Sequence, residues 1–258
     1  MQLPKQGTVR DITVSPDGSV VAAGRQSFST FGATLTRLAP LGVPDTTYGG
    51  PGGVGTLQSG ATRDIAISVK LGADGKIVSA GGTNAFTDLP SAMITRHLPD
   101  GAPDAGFGAG GVVVLDTLAK AVDVVLQPDG NINNFEVGIV RFDDKGVRDM
   151  TFGDNGFVRQ NVASVITSDP PAVVPLPDGS FYLATTQVLD RETMVVFKYL
   201  PNGKPDLSFG NAGRALVAAP GPWGAYDGLL QPDGKIVLAG RGFSPKSGTD
   251  FGLVRITP

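Results

Sequence analysis

Four aspartates are the residues of this sequence whose type and spacing could support chemistry. Asp11, Asp64, Asp123 and Asp227 each precede a short apolar stretch that is typical of a β-strand. If those strands surround a common axis, the four carboxylates converge at one end of it. Converging carboxylate oxygens suit Ca²⁺ or another hard cation. The alternative is that each aspartate caps its own entering loop by accepting hydrogen bonds from backbone N–H groups.

Aromatic side chains in irregular segments between the strands form a second candidate set. The single tryptophan, Trp223, lies among prolines and glycines in residues 219–224. Exposed aromatic side chains on loops of a rigid scaffold are typical of surfaces that bind proteins or sugar rings. The alternative for Trp223 is packing over the rim of the scaffold. The predicted contact residues are Phe28, Phe31, Phe86, Trp223, Tyr226 and Phe243.

Nucleophilic and zinc-dependent catalysis have little support in the composition. The chain has no cysteine and one histidine, His97, which follows Arg96 directly in an apolar strand. A zinc site or a Ser-His-Asp triad would depend on that one residue. A glycosidase that uses two carboxylates needs neither residue type, and Asp11, Asp64 and Asp227 are its first candidates. We therefore predict a protein that is not an enzyme, with a carbohydrate-active enzyme as the alternative.

Charge and hydropathy exclude other classes. The net charge is −3 and there is no basic stripe, which argues against a nucleic-acid partner. No apolar run reaches the roughly 18 residues that a membrane-spanning helix requires. No glycine-rich loop leads into a helix, so a nucleotide-binding loop is not indicated. No cofactor is predicted other than the Ca²⁺ considered above.

A repeated turn motif sets the architecture that must position these residues. Its five aspartates are 57, 55, 49 and 55 positions apart, and a basic residue followed 11 positions later by an aromatic-Gly pair comes after each of the first four copies. A fixed interval kept four times indicates one structural unit copied along the chain. The copies of the turn are Pro16-Asp17-Gly18, Ala73-Asp74-Gly75, Pro128-Asp129-Gly130, Pro177-Asp178-Gly179 and Pro232-Asp233-Gly234.

Each unit contains four short β-strands, which is the pattern of one propeller blade. We predict an all-β protein that forms a single domain over residues 1–258, a five-bladed β-propeller of four-stranded antiparallel blades. The last copy stops before its fourth strand, and the N-terminal strand, residues 1–5, is expected to close the last blade; the alternatives are closure by a partner chain and truncation from a longer array. The predicted blades are residues 8–60, 61–118, 119–163, 164–218, and 219–258 together with 1–5.

Within each blade, the third-strand cation is predicted to pair with an aspartate eight residues later. Such an ion pair fixes the turn between them, and it is bidentate where the cation is arginine. The aromatic residue three positions after the aspartate is expected to wedge between blades. These sets are Arg37, Asp45 and Tyr48; Arg96, Asp104 and Phe107; Arg141, Asp149 and Phe152; and Lys198, Asp206 and Phe209, with Arg255 as the fifth cation.

Two stretches of the chain resemble the delta-60 repeat of bacterial proteins. They are residues 231–240, beginning Gln231-Pro232-Asp233-Gly234, and residues 200–210, ending Phe209-Gly210. The resemblance extends over essentially the whole chain. It implies a bacterial, extracellular, cell-surface or periplasmic, propeller-like repeat protein, and it implies no general catalytic motif.

The prediction for function is a non-catalytic binding or assembly module. Its contact surface is the face that carries the variable loops, and its partner is a protein or a glycan. Besides the carbohydrate-active enzyme, the remaining alternative is a structural subunit of a larger surface complex.

Overall fold

The part of the chain that the computed structural model describes is built from β-strands, and no helix occurs in it. Accordingly, none of these residues belongs to a helix that could cross a membrane. The described residues form two compact units, Met1–Leu126 with Gly130–Arg148, and Gln127–Asp129 with Asp149–Pro258. The described ranges are 7–26, 32–50, 53–57, 64–83, 91–115, 123–127, 132–135, 138–159, 171–188, 192–217, 224–244, 246 and 248–257.

The first unit holds two complete antiparallel sheets and three further strands. Within each complete sheet the strands follow chain order, so every neighbouring pair is joined along the sequence. The first sheet comprises β1 (Gly7–Val14), β2 (Val20–Gln26), β3 (Ala33–Leu38) and β4 (Val54–Leu57). The second comprises β5 (Ile65–Leu71), β6 (Ile77–Thr83), β7 (Ser91–His97) and β8 (Val112–Leu115). The further strands are β9 (Asp123–Leu126), β10 (Ile132–Phe135) and β11 (Gly138–Phe142).

The second unit has the same pattern in its own strands. It contains one four-stranded sheet and, at the end of the chain, one three-stranded sheet that we call the last sheet. Its strands are β12 (Phe157–Arg159), β13 (Ala172–Pro175), β14 (Phe181–Val188), β15 (Glu192–Tyr199), β16 (Arg214–Leu216), β17 (Gly224–Leu230), β18 (Ile236–Ser244) and β19 (Gly248–Ile256). The last sheet consists of β17, β18 and β19 in that order.

The number of complete blades differs from the prediction. The described strands form four four-stranded sheets and one three-stranded sheet, so there are four complete blades and not five. The copy that falls short is the last one, in which no fourth strand follows β19 among the described residues. Residues 1–5, which we predicted to supply that strand, lie outside the described residues.

The recurrent turn joins the first and second strands of a blade. In the last sheet, the Gly234 amide donates to the carbonyl of Gln231 over 2.9 Å, and Gly234 has a φ of 80°. The Asp233 carboxylate accepts the amide of Lys235 at 3.1 Å, which closes the loop. A positive φ at this position favours glycine, and aspartate stabilises the turn by bonding its own backbone. The hairpins predicted from the turn motif are therefore confirmed here.

A glycine on the second strand permits the first strand to bulge. The register of β1 with β2 shifts between Val9 and Asp11, beside the pair of Val9 with Gly24. A Cβ added to Gly24 would lie 1.9 Å from the backbone oxygen of Thr8, so no larger residue fits without moving the strand. Gly81 and Gly240 have the same contact distance beside equivalent bulges. The bulge turns the first strand, which is a common role of this feature.

The third-strand cation holds two elements together, and we call this arrangement the clasp. In the first sheet, Nε and Nη2 of Arg37 bind Oδ2 of Asp45 at 2.8 and 2.5 Å. The remaining nitrogen, Nη1, donates to the backbone oxygen of Pro99 at 3.0 Å, in the turn that follows β7. One guanidinium therefore fixes the turn of its own blade and the turn of the next blade.

The second sheet repeats the clasp with a more buried arginine. Nε of Arg96 donates to Asp104 at 2.7 Å, and Nη1 donates to the backbone oxygen of Asp144. Both side chains of the ion pair are only 10% exposed. In the second unit, Nζ of Lys198 lies 3.0 Å from Oδ2 of Asp206. These pairs confirm the predicted interactions between cation and aspartate in three blades.

In three copies, the aromatic residue three positions after the aspartate is buried beneath the turn of the following blade. Tyr48, Phe107 and Phe152 have no exposed surface. Arg37 and Arg96 lie over the rings of Tyr48 and Phe107, with Cζ 4.9 and 4.6 Å from the ring centroids, which adds a cation–π attraction. The amides after the three aromatic residues donate to the next turn over 2.7–2.8 Å, from Gly49 to Asp100, Gly108 to Lys145 and Gly153 to Asn202. The predicted position between blades is confirmed for these three.

We expect Arg96→Met to destabilise the protein more than Arg37→Met. Loss of Arg96 removes one of three donors to the buried Asp104 carboxylate, which keeps Lys76 and the Gly106 amide, and also removes the guanidinium that donates to the Asp144 carbonyl; together this costs about 2–3 kcal/mol. The Arg37 side chain is 29% exposed, so water replaces its bonds and the expected cost is about 1 kcal/mol. The midpoint of urea unfolding measures both. Equal losses would contradict the role assigned to burial.

Gly81→Ala is expected to lower the free energy of unfolding by about 2–3 kcal/mol, because the new methyl group overlaps the backbone oxygen of Ile65. Gly50→Ala is the matched control, since a Cβ there would lie 3.7 Å from the nearest atom, the oxygen of Val54. Its expected effect is within about 0.5 kcal/mol. Thermal unfolding of the two variants in parallel gives the comparison.

Candidate functional site

The predicted carboxylate ligands are bound by backbone amides. Oδ1 of Asp11 accepts the amide of Ile12 at 2.8 Å, and Oδ2 accepts the amide of Val69, on β5, at 2.9 Å. Oδ1 of Asp227 accepts the amide of Gly228 at 2.7 Å. These contacts match the alternative in which each aspartate caps its own strand. Asp11 additionally connects the first strands of two successive blades.

Asp64 does not occupy the position of the other three aspartates. Asp11, Asp123 and Asp227 each lie six residues before the aspartate of the recurrent turn, whereas Asp64 lies ten residues before Asp74. In the strand register, Ser68 takes the place that Asp11 and Asp227 have in their sheets, each opposite an alanine of the second strand. Asp64 precedes β5 and is fully buried. Asp64 therefore precedes its strand from a different place in the copy than the other three aspartates do.

A lysine lies between two of the predicted metal ligands. Nζ of Lys70 is 3.6 Å from Oδ2 of Asp11 and 3.7 Å from Oδ1 of Asp123. Oδ1 of Asp123 also accepts the Ser68 hydroxyl at 2.6 Å and the Val124 amide at 2.7 Å. In the ranges that the structure describes, no three acidic or histidine side chains could share a metal ion. The cation beside Asp11 and Asp123 in the described residues is therefore the Lys70 ammonium group.

Two of the six predicted contact aromatics fall in the described residues, and both are exposed. Tyr226 lies at the bulge of β17 and is 42% exposed, and Phe243 lies near the end of β18 and is 39% exposed. Both occur in the half of the last sheet away from the Pro232-Asp233-Gly234 turn, where Gly224 pairs with Arg241 and Phe243 with Thr249. The other four, Phe28, Phe31, Phe86 and Trp223, lie outside the described residues.

The single histidine is a buried part of the second sheet. His97 ends β7, is 1% exposed, and its Cδ2 lies 3.6 Å from the Cβ position of Gly55 on β4. Neither ring nitrogen has a hydrogen-bond partner among the described residues. Burial lowers the pKa of His97 to about 4, since a charged imidazolium would lose its hydration. Sequence reasoning placed His97 in a strand but missed its burial, because both faces of this sheet are covered.

Hydrogen bonds and burial act in opposite directions on the pKa values of the clasp carboxylates. The hydroxyl of Thr47, followed by Arg37, lowers the pKa of Asp45 to about 2 by hydrogen bonding to the carboxylate. Burial alone would raise the pKa of Asp104, but bonds from Lys76, Gly106 and Arg96 together lower it. Burial raises the pKa of Tyr199 to about 12. The carboxylates with lowered pKa values belong to the clasps or, as Asp17, Asp178 and Asp233 do, to the recurrent turns, so they stabilise the scaffold.

The buried histidine predicts a loss of stability in mild acid. The unfolded chain binds a proton at His97 near pH 6.5, whereas the folded protein binds it only near pH 4. Stability should therefore fall as the pH is lowered from 6.5 to 4, by about 3 kcal/mol in total. Because the chain has one histidine, His97→Leu should abolish this slope. Urea unfolding at several pH values tests it, and an unchanged slope in the variant would assign the effect to other groups.

Comparisons with known proteins identify the fold. A family model described as "Domain of unknown function (DUF5122) beta-propeller" matches residues 231–258. No curated protein matches the sequence. The chain is similar to a crystal structure of an unknown-function protein from Dyadobacter fermentans, with 11% identity and a TM-score of 0.57, covering 98% of this chain and 80% of that one.

Two enzymes have comparable structural similarity. A glucose dehydrogenase gives a TM-score of 0.55 with 11% identity, covering 98% of this chain and 84% of that one. The periplasmic gluconolactonase of Pseudomonas aeruginosa gives 0.53 with 16% identity, covering 96% and 72%. At these identities the likeness extends to the fold alone. Together with the four-stranded antiparallel sheets, these matches show an all-β protein with a β-propeller fold.

Proposed function

We propose that the protein is a non-catalytic binding module that contacts a protein or glycan partner through the loop end of its blades. The observation that carries this proposal is the exposure of Tyr226 and Phe243 at that end of the last sheet. Phe28, Phe31, Phe86 and Trp223 lie outside the described residues and remain predicted contact residues. The resemblance to delta-60 repeats supports a place outside the cell, at the surface or in the periplasm.

The two aromatic side chains are mounted on paired strands. Phe243 pairs with Thr249 of β19, and the residues beside Tyr226 pair with Gly240 and Ala239 of β18. A side chain held by a hydrogen-bonded sheet loses little backbone freedom when a partner binds, which lowers the entropic cost of association. Tyrosine and phenylalanine also supply large apolar area, and tyrosine adds a polar group. Such residues are typical of binding hot spots.

The state of the carboxylates argues against the glycosidase alternative. A glycoside hydrolase needs two carboxyl groups that face the sugar on either side of the scissile bond. Of the first candidates, Asp64 is fully buried, while Asp11 and Asp227 accept hydrogen bonds from backbone amides. The enzymes among the structural neighbours are distant, and one fold supports many activities. The site residues of this chain therefore favour binding.

Affinity isolation from envelope and medium fractions of the source organism tests the proposal. We expect the wild-type protein to retain a partner that the double variant Tyr226→Ala and Phe243→Ala loses. With the isolated partner, titration should show at least a tenfold weaker affinity for the double variant. Leu207→Ala is the matched control, because this apolar side chain is 70% exposed and lies in a turn of another sheet.

Three results would contradict the proposal. Equal affinity of the double variant and the wild type would place the contact surface elsewhere. Turnover of a glycan, lost in Asp11→Asn or Asp227→Asn, would support the enzyme instead. Retention of one partner that only Leu207→Ala loses would favour a structural subunit that assembles through its turns.

A further inference from the structure

The interface between the first and second sheets contains polar side chains that are buried. An apolar cluster joins these sheets and includes Tyr48 from the first and Ile77 from the second. His97 pairs with Ile77 in the strand register, so both side chains are on the same face of the second sheet. Two positions along that face, the hydroxyl oxygens of Ser79 and Thr95 are 2.7 Å apart in a buried hydrogen bond. Four polar side chains, including the Tyr48 phenol, are therefore buried at this interface.

The equivalent interface of the second unit is apolar at the same four positions. There the sheet of β13 to β16 packs against the last sheet, in which the strand register pairs Ile236 with Ile256 and Leu238 with Val254. Phe209, the aromatic residue 11 positions after the third-strand cation, packs against the same cluster. The two interfaces share one strand register and differ in polarity, so the fold itself does not require the polar residues.

Tyr48 and His97 are buried without hydrogen bonds from their side chains. The Tyr48 hydroxyl and both ring nitrogens of His97 have no partner among the described residues, and the two residues are 0% and 1% exposed. Both rings lie beside Gly55 of β4, whose Cβ position is 3.7 Å from Cε1 of Tyr48 and 3.6 Å from Cδ2 of His97. A buried polar group without a partner costs the folded state free energy, and the cost is greatest when the group is charged.

The surroundings of His97 supply no charge that would stabilise an imidazolium. The residues that the described neighbouring elements place against it are Gly55, Ile77 and Pro103, and none of these is charged. The charged groups around the interface are bound to other residues: Arg37 to Asp45, Lys76 to Asp104, and Asp100 to the Ala102 amide. A proton on His97 therefore places an unpaired charge in the interface.

The other titratable groups near the interface keep their charge in mild acid. The pKa of Asp45 is lowered to about 2 by hydrogen bonds from Thr47 and Arg37, so this carboxylate stays ionised at pH 4.5. The pKa of Asp104 is also lowered. Burial raises the pKa of Tyr48, which stays neutral. Protonation of His97 is therefore the change that mild acid brings to the inside of this interface.

We propose that the interface between the first two blades is acid-sensitive: it opens when His97 takes up a proton, while the interfaces that follow it stay closed. Opening lets water solvate the imidazolium, which the closed interface cannot do. It breaks the bonds that cross the interface, from the Gly49 amide to the Asp100 oxygen at 2.7 Å and from Nη1 of Arg37 to the Pro99 oxygen at 3.0 Å. The proposal does not depend on the partner of the binding surface described above.

Amide hydrogen exchange, measured by NMR at pH 7 and pH 4.5, tests the proposal. The Gly49 amide reports on the first interface, and the amides of Gly108 and Gly153 report on two others, which they cross to the oxygens of Lys145 and Asn202. We expect the protection factor of Gly49 to fall about fiftyfold, because the open form binds the proton near pH 6.5 and the closed form only near pH 4. The protection factors of Gly108 and Gly153 should change less than about threefold.

Two variants separate His97 from the rest of the interface. His97→Leu introduces the residue that Leu38 supplies at the equivalent position of the first sheet, and it should make the protection of Gly49 independent of pH. Tyr48→Phe is the matched control: it introduces the residue found at Phe107, keeps His97, and should retain the fall in protection.

Three outcomes would overturn the proposal. The first is a Gly49 protection factor that is the same at both pH values. The second is an equal loss at Gly49, Gly108 and Gly153, which would mean that the protein unfolds as a whole. The third is a loss at Gly49 that persists in His97→Leu. The first two are decided with the wild-type protein, so the test does not depend on the folding of a variant.

Discussion

The structure depends on an arginine in the third strand of a blade that binds two turns, one in its own blade and one in the next. Arg37 and Arg96 each bind a carboxylate in their own blade and a backbone oxygen 62 or 48 positions away in the next. Taking a guanidinium out of water is costly unless its donors are satisfied. In Arg37 and Arg96 the guanidinium nitrogens donate to a carboxylate and to a backbone carbonyl, and the flat face of the guanidinium lies over an aromatic ring. The same guanidinium therefore makes both the ion pair within a blade and the contact with the next blade.

The local part of this interaction was predictable from the sequence, and the distant part was not. The interval of eight residues from Arg96 to Asp104 indicated an ion pair, because both residues flank one turn. Nothing in the periodicity shows that Nη1 reaches the carbonyl of Asp144, since a backbone acceptor has no residue type by which to recognise it. Five complete blades were predicted and four are described, and the strand predicted to complete the fifth comprises residues 1–5, which lie outside the described residues.

The candidate site, too, could be predicted from the sequence only in part. Tyr226 and Phe243 are exposed as predicted, but they lie on the paired strands β17 and β18 and not in the irregular segments where the sequence placed them. Asp64 was grouped with the other three carboxylates because it also precedes an apolar strand, whereas counting back six residues from the recurrent turn identifies Ser68. Lys70 escaped notice because its neighbours Asp11 and Asp123 are 59 and 53 positions away in the sequence. Lys70 and its two carboxylate neighbours belong to different copies, so a pattern within one copy does not contain this interaction.

The use of backbone carbonyls as the distant acceptors has a consequence for how such chains change over time. A carbonyl oxygen is present whatever side chain the residue carries, so the residues at Pro99 and Asp144 are free to differ, as they do. If a blade were placed beside a different blade, its arginine would still meet a backbone oxygen that can accept the hydrogen bond. When a whole copy is duplicated or lost, each remaining pair of neighbouring blades therefore keeps its hydrogen bond from arginine to a backbone oxygen. The number of copies can change during evolution while the contacts between them stay the same.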